Sequence, residues 1–375
     1  MKHYVTGIMS GTSLDGLDIA HCAFEHRDSQ WHYEILAAET ITYPKHWREK
    51  LRAAPGLDAR SCKKLHVDYG HYIGTAVRHF LEKYQARQNE LIASHGHTVF
   101  HQPEAGYTLQ IGDGAALAAS AGCDTVNDFR SMDVALGGQG APLAPVGDRH
   151  LFADYAHCLN LGGFSNISFE KAGKRQAFDV CPFNIVINAL VSNAKVRPGP
   201  YQANEKHADQ DGFLQYDPNG AMASTGQTDK QLLETLNQLA YYHQTGPKSL
   251  GEEWVRQHIT PLLQQSRLSL PDLLHTWYHH AAFQVSRAVT TGPAGKLLIT
   301  GGGAHNAFFV ECLREQLPAH VTAHVPDKLT TDFKEALIFA FLGLLCKHRK
   351  INCLASVTGA KQDSIGGVMH YFQTA

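Results

Sequence analysis

Twice in this chain a strand-like run enters a glycine-rich turn and leaves it as another strand-like run. The first unit is His3–Met9, then Ser10, Gly11, Thr12 and Ser13, then Leu17–Phe24. The second is Ala156–Leu161, the turn Gly162–Asn166, the return Ile167–Glu170 and a third strand over Arg175–Asp179. Short apolar runs joined by Gly, Ser, Thr and Asp read as hairpins. Repetition of the unit predicts duplicated α/β domains facing each other across a cleft. Glycines let a ligand approach the backbone, and N–H groups with hydroxyls cradle an anion. Each hairpin tip would then grip one side of a triphosphate. Asp15 and Asp18 can hold its magnesium ion directly or through water. An ordinary hairpin turn carries the same glycines, so neither loop decides the matter alone.

Composition excludes more than it assigns. The 375 residues carry a formal net charge of −2 with 18% charged residues, and no block of like charge stands out. Nothing here argues for binding nucleic acid or an anionic membrane. No leader and no bilayer-length apolar run is evident, Ala336–Cys346 being the longest candidate, so a soluble cytoplasmic protein is expected. The eight cysteines are scattered without a C-x-x-C pair, which favours reduced thiols over disulfides or zinc. The histidine pairs His279-His280 and His95/His97 lack acidic companions at ligand spacing.

Several segments carry candidate chemistry. Ser94–His101 places polar residues at the C-terminal end of a short buried strand, where open α/β sheets bind ligands. Arg130 ends another such strand. It can clamp a carboxylate or phosphate, or pair structurally with Asp128 or Asp133. Asp179 ends the third strand of the second unit; it can act as a general base or cap the helix predicted over Asn184–Val191. The buried strand Lys296–Thr300 runs into Gly301-Gly302-Gly303 and a helix, an arrangement that lets a nucleotide lie on the backbone. Glu335 falls in the first turn of a helix over Asp332–Leu345, where it can simply favour the helix dipole. Lys195–Gln215 reads as a loop or mobile insertion, and Gly137–Pro142 as a domain junction. The expected lobes are residues 1–135 plus 354–375, and residues 136–353.

Taken together the motifs resemble the anhydro-N-acetylmuramic acid kinases, a family of the sugar kinase/Hsp70/actin superfamily. The resemblance runs nearly end to end. It rests on GTSLDGLD (Gly11–Asp18), SHGHTVFH (Ser94–His101), LQIGDG (Leu109–Gly114), NDFR (Asn127–Arg130) and GGQGAPL (Gly137–Leu143). It continues in NLGGFSN (Asn160–Asn166), FD (Phe178–Asp179), YDPNGAMASTG (Tyr216–Gly226) and PKSLGEEW (Pro247–Trp254). TGGGAHN (Thr300–Asn306), FKEALIFAFLG (Phe333–Gly343) and TGA (Thr358–Ala360) complete it.

The resemblance implies a two-lobed, actin-like or ribonuclease H-like ATPase fold with the active site in the cleft. It implies ATP and Mg2+, a sugar substrate, and a homodimer. The implied reaction opens 1,6-anhydro-N-acetylmuramic acid with water and phosphorylates O6, a step of peptidoglycan recycling. Asp179 falls on the family's catalytic aspartate. The implied nucleotide contacts are Gly11, Thr12, Ser13, Leu14, Asp15, Gly16, Leu17, Asp18, Asn160, Gly162, Gly163, Gly301, Gly302, Gly303 and Asn306. Arg130 and Glu335 are carried over as sugar-side contacts. The metal ligands are left open.

The chain also departs from the family. Where the family reads Asp-Thr-Gly-Pro-Gly-Asn from the catalytic aspartate, this sequence has Asp179-Val180-Cys181-Pro182-Phe183-Asn184. His97 stands where glutamine is common. A phenylalanine at the second glycine is expected to fill part of the sugar or phosphate site, or to move the turn. The departures leave open a kinase for a related anhydrosugar or amino sugar, or a nucleotide-binding homologue with weakened catalysis.

Overall fold

The computed structural model of the protein describes residues 1–11, 14–199, 208–209, 211–244, 246, 248–290 and 292–372. Its contacts divide the chain into two compact units, Met1–Ala153 with Phe333–Ala375, and Asp154–Asp332.

In chain order the first unit begins with β1 (Lys2–Met9), β2 (Gly16–Arg27), β3 (Gln30–Thr42), α1 (Lys45–Ala53) and α2 (Ala59–Lys83). There follow β4 (Leu91–Ser94), β5 (His97–Gln102), β6 (Tyr107–Ile111), α3 (Gly114–Ala121), β7 (Thr125–Asn127), α4 (Ser131–Ala135) and α5 (Ala144–Leu151). The second unit supplies β8 (His157–Leu161), β9 (Phe164–Lys171), β10 (Lys174–Pro182), α6 (Asn184–Ala194), α7 (Lys230–Asn237), α8 (Glu252–Trp254) and α9 (Thr260–Gln265). It continues through α10 (Leu270–Thr290), β11 (Gly295–Thr300), α11 (Ala307–Gln316) and β12 (Val321–His324). The chain then runs through α12 (Lys328–Lys347), which contains the unit boundary, to α13 (Ala355–Thr358) and β13 (Val368–His370).

Among the described residues, the first unit's main sheet has the order β13-β7-β4-β1-β2-β3 and the second unit's the order β10-β9-β8-β11-β12. In each, three antiparallel meander strands come first: β1 pairs antiparallel with β2 and β2 with β3, and likewise β8 with β9 and β9 with β10. Parallel strands then add on the other side of the first strand, β4 on β1 and β11 on β8. This is the ribonuclease H-like order, present twice. The duplicated α/β architecture read from the two glycine turns is therefore the one observed.

Local sequence explains the elements that matter for the site. Asp58 caps α2 by accepting from Arg60 N at 2.9 Å and Ser61 N at 3.1 Å. Leu65, Tyr69, Ile73, Val77 and Phe80 then recur at helical spacing and are buried. They form one core with Ile8, Leu17 and Ile19 of the sheet. On α12 the sheet contact is backbone to backbone: a Cβ on Gly7 of β1 would fall 1.9 Å from the Ala336 carbonyl oxygen. Glycine is required there by close approach, not by φ.

The unit boundaries differ from those expected. The loop Gly137–Pro142 is no junction, since Gln139 N donates to Thr358 O (2.8 Å) and Gly140 N to Asp133 Oδ2 (2.7 Å). Helix α5 packs beyond it on β3, with Tyr33 and Phe152 ring centroids 5.3 Å apart. Between α8 and α9 the helix passes through a π turn over Val255–Ile259. Of the Lys195–Gln215 segment, residues 200–207 and 210 lie outside the described residues. The described part is anchored, with Leu214 fully buried and its N–H donating to Val196 O at 2.8 Å.

Candidate active site

Asp179 sits on β10 beside a register shift against β9. The shift lets the strand turn its carboxylate while the residue is held by two backbone contacts and one to the carboxylate. Asp179 N donates to Lys248 O at 3.0 Å, the Tyr241 hydroxyl donates to Asp179 O at 2.6 Å, and Leu250 N donates to Asp179 Oδ2 at 2.9 Å. Burial raises its pKa to about 6, against the opposing Leu250 N–H. One carboxylate oxygen is thereby fixed, and a proton can be taken up near neutral pH. Asp179 does not cap α6, whose N-cap residue is Phe183. The Pro247–Trp254 motif was a signal for the loop that holds Asp179, but nothing in its sequence singled out Lys248 or Leu250.

The glycine loops of the same unit converge on the residues after Asp179. Gly163 O accepts from Phe183 N (2.8 Å) and Ile185 N (3.2 Å), and Gly162 O accepts from Asn184 N (3.2 Å). Asn184 Nδ2 reaches Leu161 O at 3.3 Å. Gly301 has φ +83°, and a Cβ on it would come within 2.6 Å of Asn160 Oδ1. Above this layer there is space: a Cβ on Gly163 would meet nothing within 4 Å, and one on Gly302 only Asn184 Nδ2 at 3.9 Å. Asn160, Gly162, Gly163, Gly301 and Gly302 thus form an open backbone cradle. Gly303 and Asn306 lie below it. Gly303 is buried against Phe183 and Leu161, while Asn306 caps α11 through Phe309 N (2.9 Å) and donates to the Tyr278 hydroxyl (2.8 Å).

Phe183 does not fill a ligand site. Its ring is fully buried under Gly303, with the Phe309 ring centroid 4.5 Å away, and Cys181 is equally buried, its Sγ 3.2 Å from Ser165 Oγ. Neither residue has a positive φ, so neither position needs glycine for its backbone. The ground for expecting a narrowed site is removed.

In the first unit the β1–β2 tip contains Gly11, Leu14, Asp15, Gly16, Leu17 and Asp18; Thr12 and Ser13 lie outside the described residues. Leu14 (φ +60°) and Leu17 turn their side chains into the core, and only the backbone of these two remains for a ligand. Gly16 is backed against Ile41 O. Asp15 is exposed, and Asp18 accepts from Thr40 Oγ1 at 2.6 Å. Beneath the tip lies a hydroxyl cluster that sequence reading missed: Ser10 Oγ is 2.8 Å from the Tyr43 hydroxyl and 2.9 Å from that of Tyr69. His97 Nδ1 is 3.5 Å from the same Ser10 oxygen, and burial lowers the His97 pKa to about 4.

Arg130 pairs with neither Asp128 nor Asp133. Its Nε and one terminal nitrogen donate to His95 Nε2 (3.0 and 2.8 Å), and the other terminal nitrogen donates to Gly140 O (2.6 Å). His95 Nδ1 lies 2.9 Å from Gly96 O, so His95 is the neutral Nδ1–H tautomer. Burial, then the Arg130 charge, keeps His95 well below its ordinary pKa. Burial lowers Arg130 to about 10, and Glu335 opposes that shift. Glu335 itself has exposed surface, yet crowding by protein raises its carboxyl, Lys334 and Arg130 opposing and Asp18 adding to the shift. Asp18, Arg130 and Glu335 are thus brought within electrostatic range of one another.

Among the described residues no group of three or more His, Cys, Asp or Glu side chains could hold a metal ion. A resident metal does not fit this donor set. A cation that arrives on a triphosphate fits it better, because magnesium keeps water and phosphate oxygens and needs only one or two carboxylates.

The family profile described as anhydro-N-acetylmuramic acid kinase matches residues 3–372. Proteins named anhydro-N-acetylmuramic acid kinase from Shewanella sp. (strain MR-7) and Vibrio vulnificus (strain CMCP6) are each 33% identical over 98% of this chain and 98% of their own. This chain belongs to the anhydro-N-acetylmuramic acid kinase family. It is an ATP-dependent carbohydrate kinase, with a sugar and ATP as its substrates. Another family relative, from Shewanella oneidensis, is 34% identical over 98% of each chain. Solved structures give a weaker likeness. Component A of (R)-2-hydroxyglutaryl-CoA dehydratase from Acidaminococcus fermentans is 11% identical, covering 91% of this chain and 97% of its own, at TM-score 0.44. Among the described residues no helix is long and apolar enough to cross a membrane.

Proposed function

We propose that the protein converts 1,6-anhydro-N-acetylmuramic acid, ATP and water into N-acetylmuramic acid 6-phosphate and ADP, as a step in recycling peptidoglycan. Asp179 is the general base. The observation that carries this reading is its geometry: a half-buried carboxylate with one oxygen fixed by Leu250 N and a pKa raised to about 6. The second oxygen is left to take a proton from water as the water attacks C1. The C1–O6 bond breaks, and O6 forms its bond to the γ-phosphorus as ADP leaves.

The remaining residues bind and orient. Asn160, Gly162, Gly163, Gly301 and Gly302 accept the nucleotide along the open cradle, and backbone N–H groups take up phosphoryl charge. The β1–β2 tip, Gly11 to Asp18, contributes backbone to the phosphates. ATP enters as its Mg2+ complex, with Asp15 and Asp18 as the candidate carboxylate ligands. Arg130 keeps guanidinium N–H groups beyond those given to His95 and Gly140 O, and these suit the sugar's carboxylate. Glu335 accepts from sugar hydroxyls. The protein works as a homodimer in the cytoplasm, without nucleic acid.

The test is ADP release with the anhydrosugar, ATP and magnesium, for wild type and Asp179→Asn side by side. Loss of turnover by about 10²–10⁴ in a variant with unchanged circular dichroism is the expected result. Wild-type-like turnover in that variant would remove Asp179 from the mechanism.

A further inference from the structure

A cavity of about 290 Å³ lies in the second unit, on the face of β10 away from Asp179. Gln176, Phe178 and Val180 line it, and the alternation along a strand puts Asp179 on the other face. Among the described residues its charged lining is Lys171, Lys248 and Arg287, with no carboxylate. Tyr242, only 5% exposed, lines it too, with its hydroxyl turned away into the protein. The size is that of a small-molecule site.

We propose that this cavity binds a small phosphate-bearing molecule, its phosphate held by Lys248 and Arg287. Burial, then the nearby Arg287 charge, holds the Lys248 ammonium below its ordinary pKa. An anion between the two cations relieves that repulsion. Among the described residues Lys248 Nζ donates to the carbonyls of Tyr241 (3.1 Å) and Gln244 (3.3 Å). The site reports to Asp179 through two residues of one loop. Lys248 lines the cavity while its carbonyl accepts from Asp179 N, and Leu250, two residues on, donates to Asp179 Oδ2. An anion that draws Lys248 into the cavity moves the amide that fixes the carboxylate, so occupancy lowers turnover. The coupling rests on the proposed role of Asp179; the binding does not.

The test titrates inorganic phosphate and, separately, glucose 6-phosphate into the full chain by calorimetry, with the nucleotide site filled by a nonhydrolysable ATP analogue and magnesium. The double variant Lys171→Met/Arg287→Met alters only side chains at the cavity rim. Saturable binding in wild type, weakened about tenfold or more in the double variant, is expected. Tighter binding of glucose 6-phosphate than of phosphate would assign the site to phosphorylated sugars, and equal binding to free phosphate. Undiminished binding in the double variant, or no binding to wild type, overturns the site. Turnover without added anion is expected to match wild type in the double variant. Added anion lowers kcat in wild type and not in the double variant. Binding with no change in kcat overturns the coupling, and no turnover under any condition indicts the kinase reading while the calorimetry still decides the site.

Discussion

At the scale of single residues, the environment of Asp179 ties activity and stability to one ionisation. Its pKa is about 6 in the folded protein, against about 3.9 in an unfolded chain. As a base it works only when ionised, so kcat/KM is expected to fall as pH drops through about 6. Stability runs the other way. Below about pH 4 the carboxyl is protonated in both states and burial is free of charge cost. The cost develops as pH rises and is complete above the folded pKa, on the order of 2–3 kcal/mol. Asp179→Asn is therefore expected to melt higher than wild type at pH 8, with the gap closing by pH 4; an equal gap at both values would contradict the burial argument. Phe183 poses the opposite case. Its ring is fully buried beside Phe309 and Tyr278. Phe183→Ala should lose about 3–5 kcal/mol in chemical denaturation without tightening sugar binding. A lower sugar KM would show that the ring does obstruct the site.

At the scale of elements, the glycine turns were legible because glycine and strand alternation are local signals. Their consequences were not. The sequence of Gly301-Gly302-Gly303 marks a nucleotide loop, yet the three glycines do different things. Gly301 supplies φ +83°, Gly302 is open to solvent, and Gly303 lets Phe183 pack beneath the loop. Gly301→Ala combines a positive φ with a Cβ 2.6 Å from Asn160 Oδ1. It is expected to cost about 1–3 kcal/mol and to raise the KM for ATP, leaving the pH limb of Asp179 in place. An unchanged KM for ATP would separate this loop from the nucleotide. The partners of Arg130 were hidden for a different reason. Asp128 and Asp133 are its sequence neighbours, but Asp128 accepts from Ser131 and Asp133 from Gly140 N and Thr358 Oγ1. His95, between β4 and β5, is the true partner, and only tertiary structure brings it there.

At the scale of the molecule, the repeated strand order was readable from two turns, whereas the limits of the units were not. The glycine- and proline-bearing loop Gly137–Pro142 reads as a junction, but contacts that keep that loop in the first unit come from Thr358, far along the chain. Ligand linkage gives a whole-molecule test of the nucleotide assignment. ATP present at about 100 times its Kd should add about 2.7 kcal/mol to unfolding stability. The rise in Tm should be larger with magnesium than with EDTA. Equal shifts would mean that the metal contributes nothing to nucleotide binding here.

The first unit is assembled from both ends of the chain, Met1–Ala153 and Phe333–Ala375, around an uninterrupted second unit. The backbone contact at Gly7 waits for Ala336, and β7 waits for β13. On a ribosome the order of completion is therefore inverted. The second unit has all its strands once residue 332 has emerged, while Met1–Ala153 stays unfinished until Phe333–Ala375 has followed it out of the exit tunnel. For that interval β1 exposes the apolar face that α12 will cover, and the nascent chain, rather than the finished enzyme, is the species most in need of a chaperone.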